Sequence, residues 1–304
     1  MCNISLSMCR NLGGRNMQKS LKIIEWNLNC QSDKKVKIAG FIKDRIENED
    51  IIIFTEIVKS DSVLQLMKEL NEYNFYESYN TVGNQIIIAT RRNIKVTRII
   101  SKIPKISIYN APNFLHIEIM INGVKYQILG IRIRIDDGSE DDYKERRKQF
   151  EYFSNYVSDL DNVIILGDFN NSYIRGDLKA SHSRTKKLYE KNNKGEPLTT
   201  RFFNYQMMKD IIGEDIKTFT PSNKKSWGIK LIDNNFDYGY IQNDHLMVSK
   251  NISVEEVEYD WDFVDKNKGK YLSMDVDKTG RIDVEKGYPD HAVLRVKLKL
   301  HLPT

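Results

Sequence analysis

The stretch "VIILGDFNNS", Val163 to Ser172, decides how the rest of the chain is read. An apolar run ends at Gly167, and Asp168 and Asn170 follow two positions apart. A run of this length and composition reads as a buried strand. The simple account of the Asp-x-Asn is a turn, because both side chains hydrogen-bond their own backbone and tolerate turn dihedrals. The sharper account is a polar site at the end of a core strand, where layered α/β folds often carry their chemistry. Taken alone the segment favours the turn, so the rest of the chain has to decide.

Outward from it, short β-rich runs recur: "LKIIEW", "DIIIFT", "NQIIIAT", "FLHIEIMI", "YQILGIRIRI", "DHLMVS", "ISVEEVEY" and "AVLRVKLKL". Helical spacing interrupts them at Val36, Ala39, Ile42 and Ile46, and again at Val63, Leu66, Met67 and Leu70. A third set, Phe150, Phe153, Val157 and Leu160, follows the acids "EDD", which suit a helix N-terminus. Many strands with a few helices between them predict an α/β sandwich, two mixed sheets face to face with helices outside. The chain has 304 residues, no internal repeat and no Pro- or Ser-rich linker, so a single domain over 19–304 is the simpler expectation. Residues 1–18 read as a polar, Gly-containing leader, with "MQKSLKIIEW" from Met17 resembling a natural start.

Composition narrows the partners. The formal net charge is +5 at pH 7, which suits a polyanionic partner and a solvated surface equally. It weighs more if several acids share one pocket, because the remaining surface is then more basic than the total. Cys2, Cys9 and Cys30 are odd in number and lack metal-ligand spacing, so free thiols in a reducing, cytoplasmic setting are expected. No apolar stretch approaches a membrane span, and no partner protein is implied. The wealth of Ile, Lys and Asn suits a bacterium or phage with an AT-rich genome.

What stands beside each strand turns the argument. "LKIIEW" is followed by Asn27 and Asn29, "DIIIFT" by Glu56, and "VIILG" by Asp168 and Asn170. "DHLMVS" begins with Asp244, and the last strand is preceded by Asp290 and His291. Strands packed side by side would bring these groups to one rim. Carboxylates and amide oxygens are hard ligands suited to Mg²⁺ or Mn²⁺, and clustered acids repel unless a cation neutralises them. With an imidazole at hand, the set suits hydrolysis of a phosphate ester.

In order, "EWNLN", "IFTEI", "LGDFNN", "NDHLMVS" and "YPDHAVL" resemble the endonuclease/exonuclease/phosphatase superfamily, over about Leu21 to Leu300. The resemblance implies the deoxyribonuclease-I-like fold, a four-layer α/β sandwich. It implies Glu56, Asn29 and Asp290 as metal ligands for Mg²⁺, with Mn²⁺ as substitute. Asp168 would orient or deprotonate the attacking water, Asn170 would position water or phosphate, and Asn27 would hold the network around Asp168. His291 would contact the scissile phosphate, with Asp244 paired to its ring. The family also places a phosphate-contacting residue after a central strand. Alternation in "YQILGIRIRID" puts Arg132 and Arg134 on one face, as a phosphate clamp or as snorkelling cations of an exposed edge strand.

Other polar residues carry plainer expectations. His116 and His245 read as structural, His182 as a surface loop and His301 as tail. Trp227 suits base stacking or a loop anchor. On substrate, "YGYIQN" before Asp244 lacks the Trp-Arg pattern of abasic-site endonucleases, no Asp-Arg-x-Leu-Trp of inositol phosphatases is present, and Pro289 replaces a frequent serine. Secreted sphingomyelinases would carry a signal peptide, which the sequence lacks. The basic clusters "RTKKLYEKNNK" and "SNKKSW" favour a nucleic-acid substrate. The expectation is therefore a divalent-metal-dependent phosphodiesterase cutting DNA or RNA. A small-molecule or lipid phosphate is the alternative, and a degenerate nucleic-acid-binding protein stands third.

Overall fold

The computed structural model describes residues 19–29, 38, 40–43, 49–58, 61–79, 85–102, 112–134, 140–170, 201–221, 225–230, 236–263 and 289–300. The expected leader, Cys2, Cys9, Cys30, His182, His301 and "RTKKLYEKNNK" lie outside these residues.

Strands rich in Ile, Val and Leu form two six-stranded sheets. The first takes β1 (Lys19–Asn27), β2 (Ile51–Ile57), β3 (Tyr73–Glu77), β4 (Gln85–Arg91), β13 (Ser253–Asp260) and β14 (Val293–Leu300), in the order β13-β14-β1-β2-β4-β3. The second takes β5 (Lys95–Ile100), β6 (Asn113–Ile121), β7 (Val124–Arg132), β8 (Val163–Asp168), β9 (Ile216–Phe219) and β12 (Asp244–Ser249), in the order β5-β6-β7-β8-β12-β9. A small ribbon pairs β10 (Trp227–Lys230) with β11 (Phe236–Ile241). Each large sheet has one parallel neighbour pair, β1 with β2 and β7 with β8, among antiparallel ones. Both sheets are therefore mixed, as the sequence predicts.

Strands such as β2, β4, β8 and β12 are buried on both faces, which places layers on either side of each sheet. In β8, Ile164 and Leu166 join the core between the sheets, whereas Val163 and Ile165 join a second cluster. That second cluster holds Phe150, Phe153 and Val157 of α2 (Glu140–Val157) and Met207, Met208 and Ile212 of α3 (Arg201–Ile212). These two helices thus cover the outer face of the second sheet. On the first sheet, Val63, Leu66 and Leu70, in and just after α1 (Asp61–Glu69), enter the larger cluster. Trp26 meets Phe41 at a tilt and Phe263 edge-on, with ring centroids 5.5 and 5.1 Å apart. Each fully buried aliphatic side chain contributes about 2 kcal/mol relative to exposure. The α/β sandwich is the observed architecture.

Boundaries differ from the sequence reading in two places. Leu160 packs against the core beyond the last turn of α2, because that helix ends at Val157. The β7 strand stops at Arg132 and lies between β6 and β8, so it is an interior strand and not an edge. Its hairpin with β6 turns on Asn122 and Gly123, both at positive φ, the two-residue turn whose twist matches paired strands.

Candidate active site

Strand direction gathers the polar residues. Asn27 ends β1, Glu56 lies in the last turn of pairing of β2, Arg132 ends β7 and Asp168 ends β8. Because β12 runs antiparallel to β8, its first residue, Asp244, stands directly opposite Asp168. Because β14 runs antiparallel to β1, the segment entering it, Asp290 and His291, arrives at the same rim. The rim thus collects C-terminal ends of parallel strands and N-terminal ends of their antiparallel neighbours.

Contacts among these residues are close. Nδ2 of Asn27 donates to Oδ2 of Asp168 at 2.9 Å and to Oε1 of Glu56 at 3.1 Å. Oδ1 of Asn27 accepts from the backbone N–H of Asn29 at 2.8 Å, so the amide orients three other members of the set. Asp168 also accepts from the backbone N–H of Asn170 at 2.8 Å and from its Nδ2 at 3.0 Å. Nε of Arg132 donates to Oε1 of Glu56 at 2.6 Å. Nδ1 of His291 lies 2.8 Å from Oδ2 of Asp244, and facing a carboxylate it must carry the hydrogen. Nε2 of His291 is 3.9 Å from Oδ1 of Asp290.

Local backbone supports this arrangement at a cost. Asn29, Glu56 and Asn170 all adopt positive φ, at 48°, 49° and 47°. Asparagine tolerates the left-handed region, but glutamate there costs on the order of 1–2 kcal/mol. Glu56 sits where the pairing of β2 with β4 shifts register between Phe54 and Ile57, and the bulge turns its carboxylate to the rim. Gly167 is required for another reason. A Cβ built there would lie 1.8 Å from the carbonyl oxygen of Ile131 in β7, so no other residue fits before Asp168.

Burial and mutual repulsion set the proton affinities. Burial raises Asp168 to about 7, with Asp244 and Glu56 adding to it and His291 and Arg132 opposing it. Burial likewise raises Asp290 to about 7, with the neighbouring His291 opposing it. Burial would lower His291, but Asp244, Asp168 and Asp290 outweigh it and hold the imidazole well above its ordinary value. Glu56 is pushed up by burial and pulled down further by Arg132 and His291, ending below the ordinary carboxylate value.

All ten sequence-predicted site residues are described, and nine converge. Arg134 is the exception: it stands past the end of β7, exposed, with its backbone N–H donating to Oε1 of Gln149 at 3.1 Å. Two supporting residues, Arg146 and Ser226, escaped the sequence reading, and Trp227, read there as a base-stacking residue or a loop anchor, supports the site with them. Nε1 of Trp227 donates to Oδ2 of Asp290 at 3.0 Å, which makes it an anchor of the site. Arg146 of α2 is fully buried and donates to the backbone oxygen of Asn170 at 3.3 Å. Oγ of Ser226 accepts from the backbone N–H groups of Asn243 and Asp244, at 2.7 and 3.3 Å. A Trp or Ser 63 or 17 residues from its partner leaves no spacing signal. The structural readings of two histidines match their surroundings: His116 bonds Tyr156 of α2 and Gln127 of β7, and His245 bonds Thr220.

Among the described residues no group of three or more His, Cys, Asp and Glu is arranged as a metal site. The donors at hand still suit a hard cation. Glu56 and Asp290 offer carboxylate oxygens and Asn29 an amide oxygen, and Oδ1 of Asp290 is buried without a hydrogen-bond partner.

This fold and this rim define a class. The chain belongs to the Endonuclease/Exonuclease/phosphatase family, which it matches over residues 24–273. Members of this family hydrolyse phosphoesters and in general use divalent metal ions. A search of curated proteins gives no match. Among solved structures, TDP2 of D. rerio complexed with a single-strand DNA product is 15% identical with a TM-score of 0.55, covering 93% of this chain and 100% of that one. A family protein from Bacteroides thetaiotaomicron is 13% identical with a TM-score of 0.59, over 94% and 99%. A mannosyl-6-phosphatase from B. thetaiotaomicron VPI-5482 is 12% identical with a TM-score of 0.57, over 91% and 99%. At these identities the likeness is one of fold. No helix among the described residues is long and apolar enough to cross a membrane.

Proposed function

We propose that the chain is a Mg²⁺-dependent phosphodiesterase that hydrolyses nucleic acid by attack of water on a phosphodiester. The observation that carries the reading is two bonded groups at one rim: Asn27 joins Asp168 to Glu56 and Glu56 holds Arg132, while beside them Asp244 holds His291. Glu56, Asn29 and Asp290 would hold the cation, which supplies charge neutralisation for the bound phosphate. Asp168, once ionised, takes a proton from the attacking water as the water oxygen bonds phosphorus and the P–O bond to the leaving sugar oxygen breaks. That oxygen takes its proton from solvent, and Asn27 and Asn170 keep the Asp168 oxygens aimed. His291, held as the imidazolium by Asp244, donates from Nε2 toward a phosphoryl oxygen and offsets its growing charge. Arg132 is within reach of both Glu56 and the rim, so its planar guanidinium can grip a phosphate.

Nucleic acid is favoured by the net charge of +5 in a chain whose rim gathers Glu56, Asp168, Asp244 and Asp290, which leaves the remaining surface more basic. TDP2, complexed with single-strand DNA in one similar structure, gives a further reason. A second reading rests on the mannosyl-6-phosphatase of the same fold, which makes a small phosphate the competing substrate. The deciding assay measures product release from labelled single- and double-stranded DNA and RNA with Mg²⁺, Mn²⁺ or EDTA, beside sugar phosphates, inositol phosphates and a phosphocholine lipid. Metal-dependent cleavage of nucleic acid that is lost in Asp168→Ala supports the proposal. Turnover confined to the small phosphates or the lipid overturns the substrate and keeps the chemistry.

A further inference from the structure

A second buried acid lies beneath the rim and has no part in the mechanism above. Glu25 is wholly buried in β1, two residues before Asn27 and on the same face of the strand. Cross-strand register places it in a row with Ile53, Leu294 and Tyr259. That row faces the second sheet: Cγ2 of Ile53 would lie 3.0 Å from a Cβ built on Gly130 of β7, and Tyr259 donates its hydroxyl hydrogen to the backbone oxygen of Asp244. Glu25 therefore points into the gap between the sheets, toward the end where Asp244 and Asp168 stand.

Its hydrogen bonding is half complete. Oε1 accepts from Oγ1 of Thr55 at 2.8 Å, whereas Oε2 is buried with no partner. Oδ2 of Asp244 is taken by His291, and Oδ1 of Asp244 is likewise buried with no partner. Two ionised carboxylates, each with an unsatisfied oxygen, would be costly in this water-poor gap. One proton on Glu25 removes a charge and supplies the missing donor. The groups that face Glu25 all fit this state. Burial is the largest cause and Asp244 of β12 and Asp168 of β8 add to it, while Thr55 of β2 and His291 before β14 oppose them only in part, so the acid is held well above its ordinary value.

We propose that Glu25 is held as a neutral carboxylic acid and acts as a positioning residue for the Asp244–His291 pair, its proton bridging Oε2 to Oδ1 of Asp244 end to end or through one buried water. The catalytic part of this proposal rests on the phosphodiesterase reading, and the structural part does not. A serviceable donor there fixes the Asp244 carboxylate, and through it the aim of the imidazole, without touching substrate.

Three measurements separate the cases. Infrared difference spectra of wild type and Glu25→Gln at mildly alkaline pH should show a protonated carboxyl carbonyl band in the wild type alone. Its absence would overturn the proposal. Glu25→Gln, which keeps a donor, should hold kcat near the wild-type value on a labelled oligonucleotide. Glu25→Leu, of similar size but with no donor, should lower kcat about tenfold at unchanged KM, the scale of one orphaned buried acceptor. Equal losses in the two variants would mean that the ionised carboxylate is what matters, and would overturn the idea. Denaturant unfolding closes a double-mutant cycle: Glu25→Leu should destabilise the wild type but leave Asp244→Ala unchanged, and an additive result would break the link. Silence on every phosphodiester would sink the assigned activity, while the band and the cycle would still decide the role of Glu25.

Discussion

At the level of single residues, the site is built from groups made unlike their solution forms. Asp168 is held at about 7 by burial, with Asp244 and Glu56 adding to it, so near neutrality it is divided between its two forms. In the proposed mechanism the base is the ionised form, which predominates above that value. Turnover should therefore climb as pH rises through about 7 and then level off, as a pH–rate profile of kcat/KM would show. Asp168→Asn keeps the shape and removes the base; it should cut kcat by about 10²- to 10⁴-fold while oligonucleotide binding survives. A profile with no acid limb near 7, or a kcat that survives in Asp168→Asn, would remove Asp168 from that role. The preceding glycine is constrained just as tightly. Gly167→Ala forces a Cβ into the backbone of Ile131, and a denaturant midpoint should report a loss of about 3 kcal/mol or more. Asp168 and Asn170 could be read as rim residues only once the polar groups beside five strands were taken together, because their own segment alone favours a turn. Glu25 was not legible. The acid in "LKIIEW" shares its strand face with Leu21 and Ile23, but nothing in that short run says that a second sheet lies over it and buries it.

Among elements, legibility followed burial. Strands with both faces covered, such as β2, β4, β8 and β12, are nearly continuous in Ile, Leu and Val and announce themselves. The β5 strand, "KVTRII", is mostly exposed and β9 has four residues, so neither carries enough apolar pattern to be seen in advance. The bulge that turns Glu56 outward has no sequence marker either, because glutamate is not a residue that favours positive φ. Between β6, β7 and α2 the packing encloses a polar cluster. Nδ1 of His116 meets the Tyr156 hydroxyl and Nε2 meets Oε1 of Gln127, each at 2.7 Å, which fits a neutral ring donating from Nε2. Burial holds His116 below its ordinary value of 6.5 in the folded protein, whereas the unfolded chain takes up its proton at that value. The unfolded state thus binds more protons as pH drops, and stability present above 6.5 should be lost as pH falls toward the folded value. Substituting His116→Gln should flatten that part of the stability–pH curve, measured by urea unfolding. A curve that keeps its slope in the variant would place the titration elsewhere.

For the molecule as a whole, the sandwich separates two electrostatic regions that the sequence total conceals. Glu56, Asp168, Asp244 and Asp290 are drawn to one rim, where His291 and Arg132 compensate part of their charge. Since the chain still carries a formal charge of +5, the surface away from that rim holds a larger cationic excess than the total suggests. A phosphate backbone lying across that surface would release condensed counterions as its charges are neutralised. Each phosphate contacted adds a slope of about −0.9 for duplex DNA, or about −0.7 for a single strand, to a plot of log affinity against log salt. Binding of a labelled oligonucleotide to Asp168→Asn in Mg²⁺ should accordingly weaken steeply with added KCl, with a slope of about −3 or steeper. A sugar phosphate offers a single phosphate and no such ladder, so its binding would change only shallowly over the same range. A shallow slope with the oligonucleotide would mean that the basic surface does not meet the strand, and the small-phosphate reading would then take precedence for the same catalytic rim.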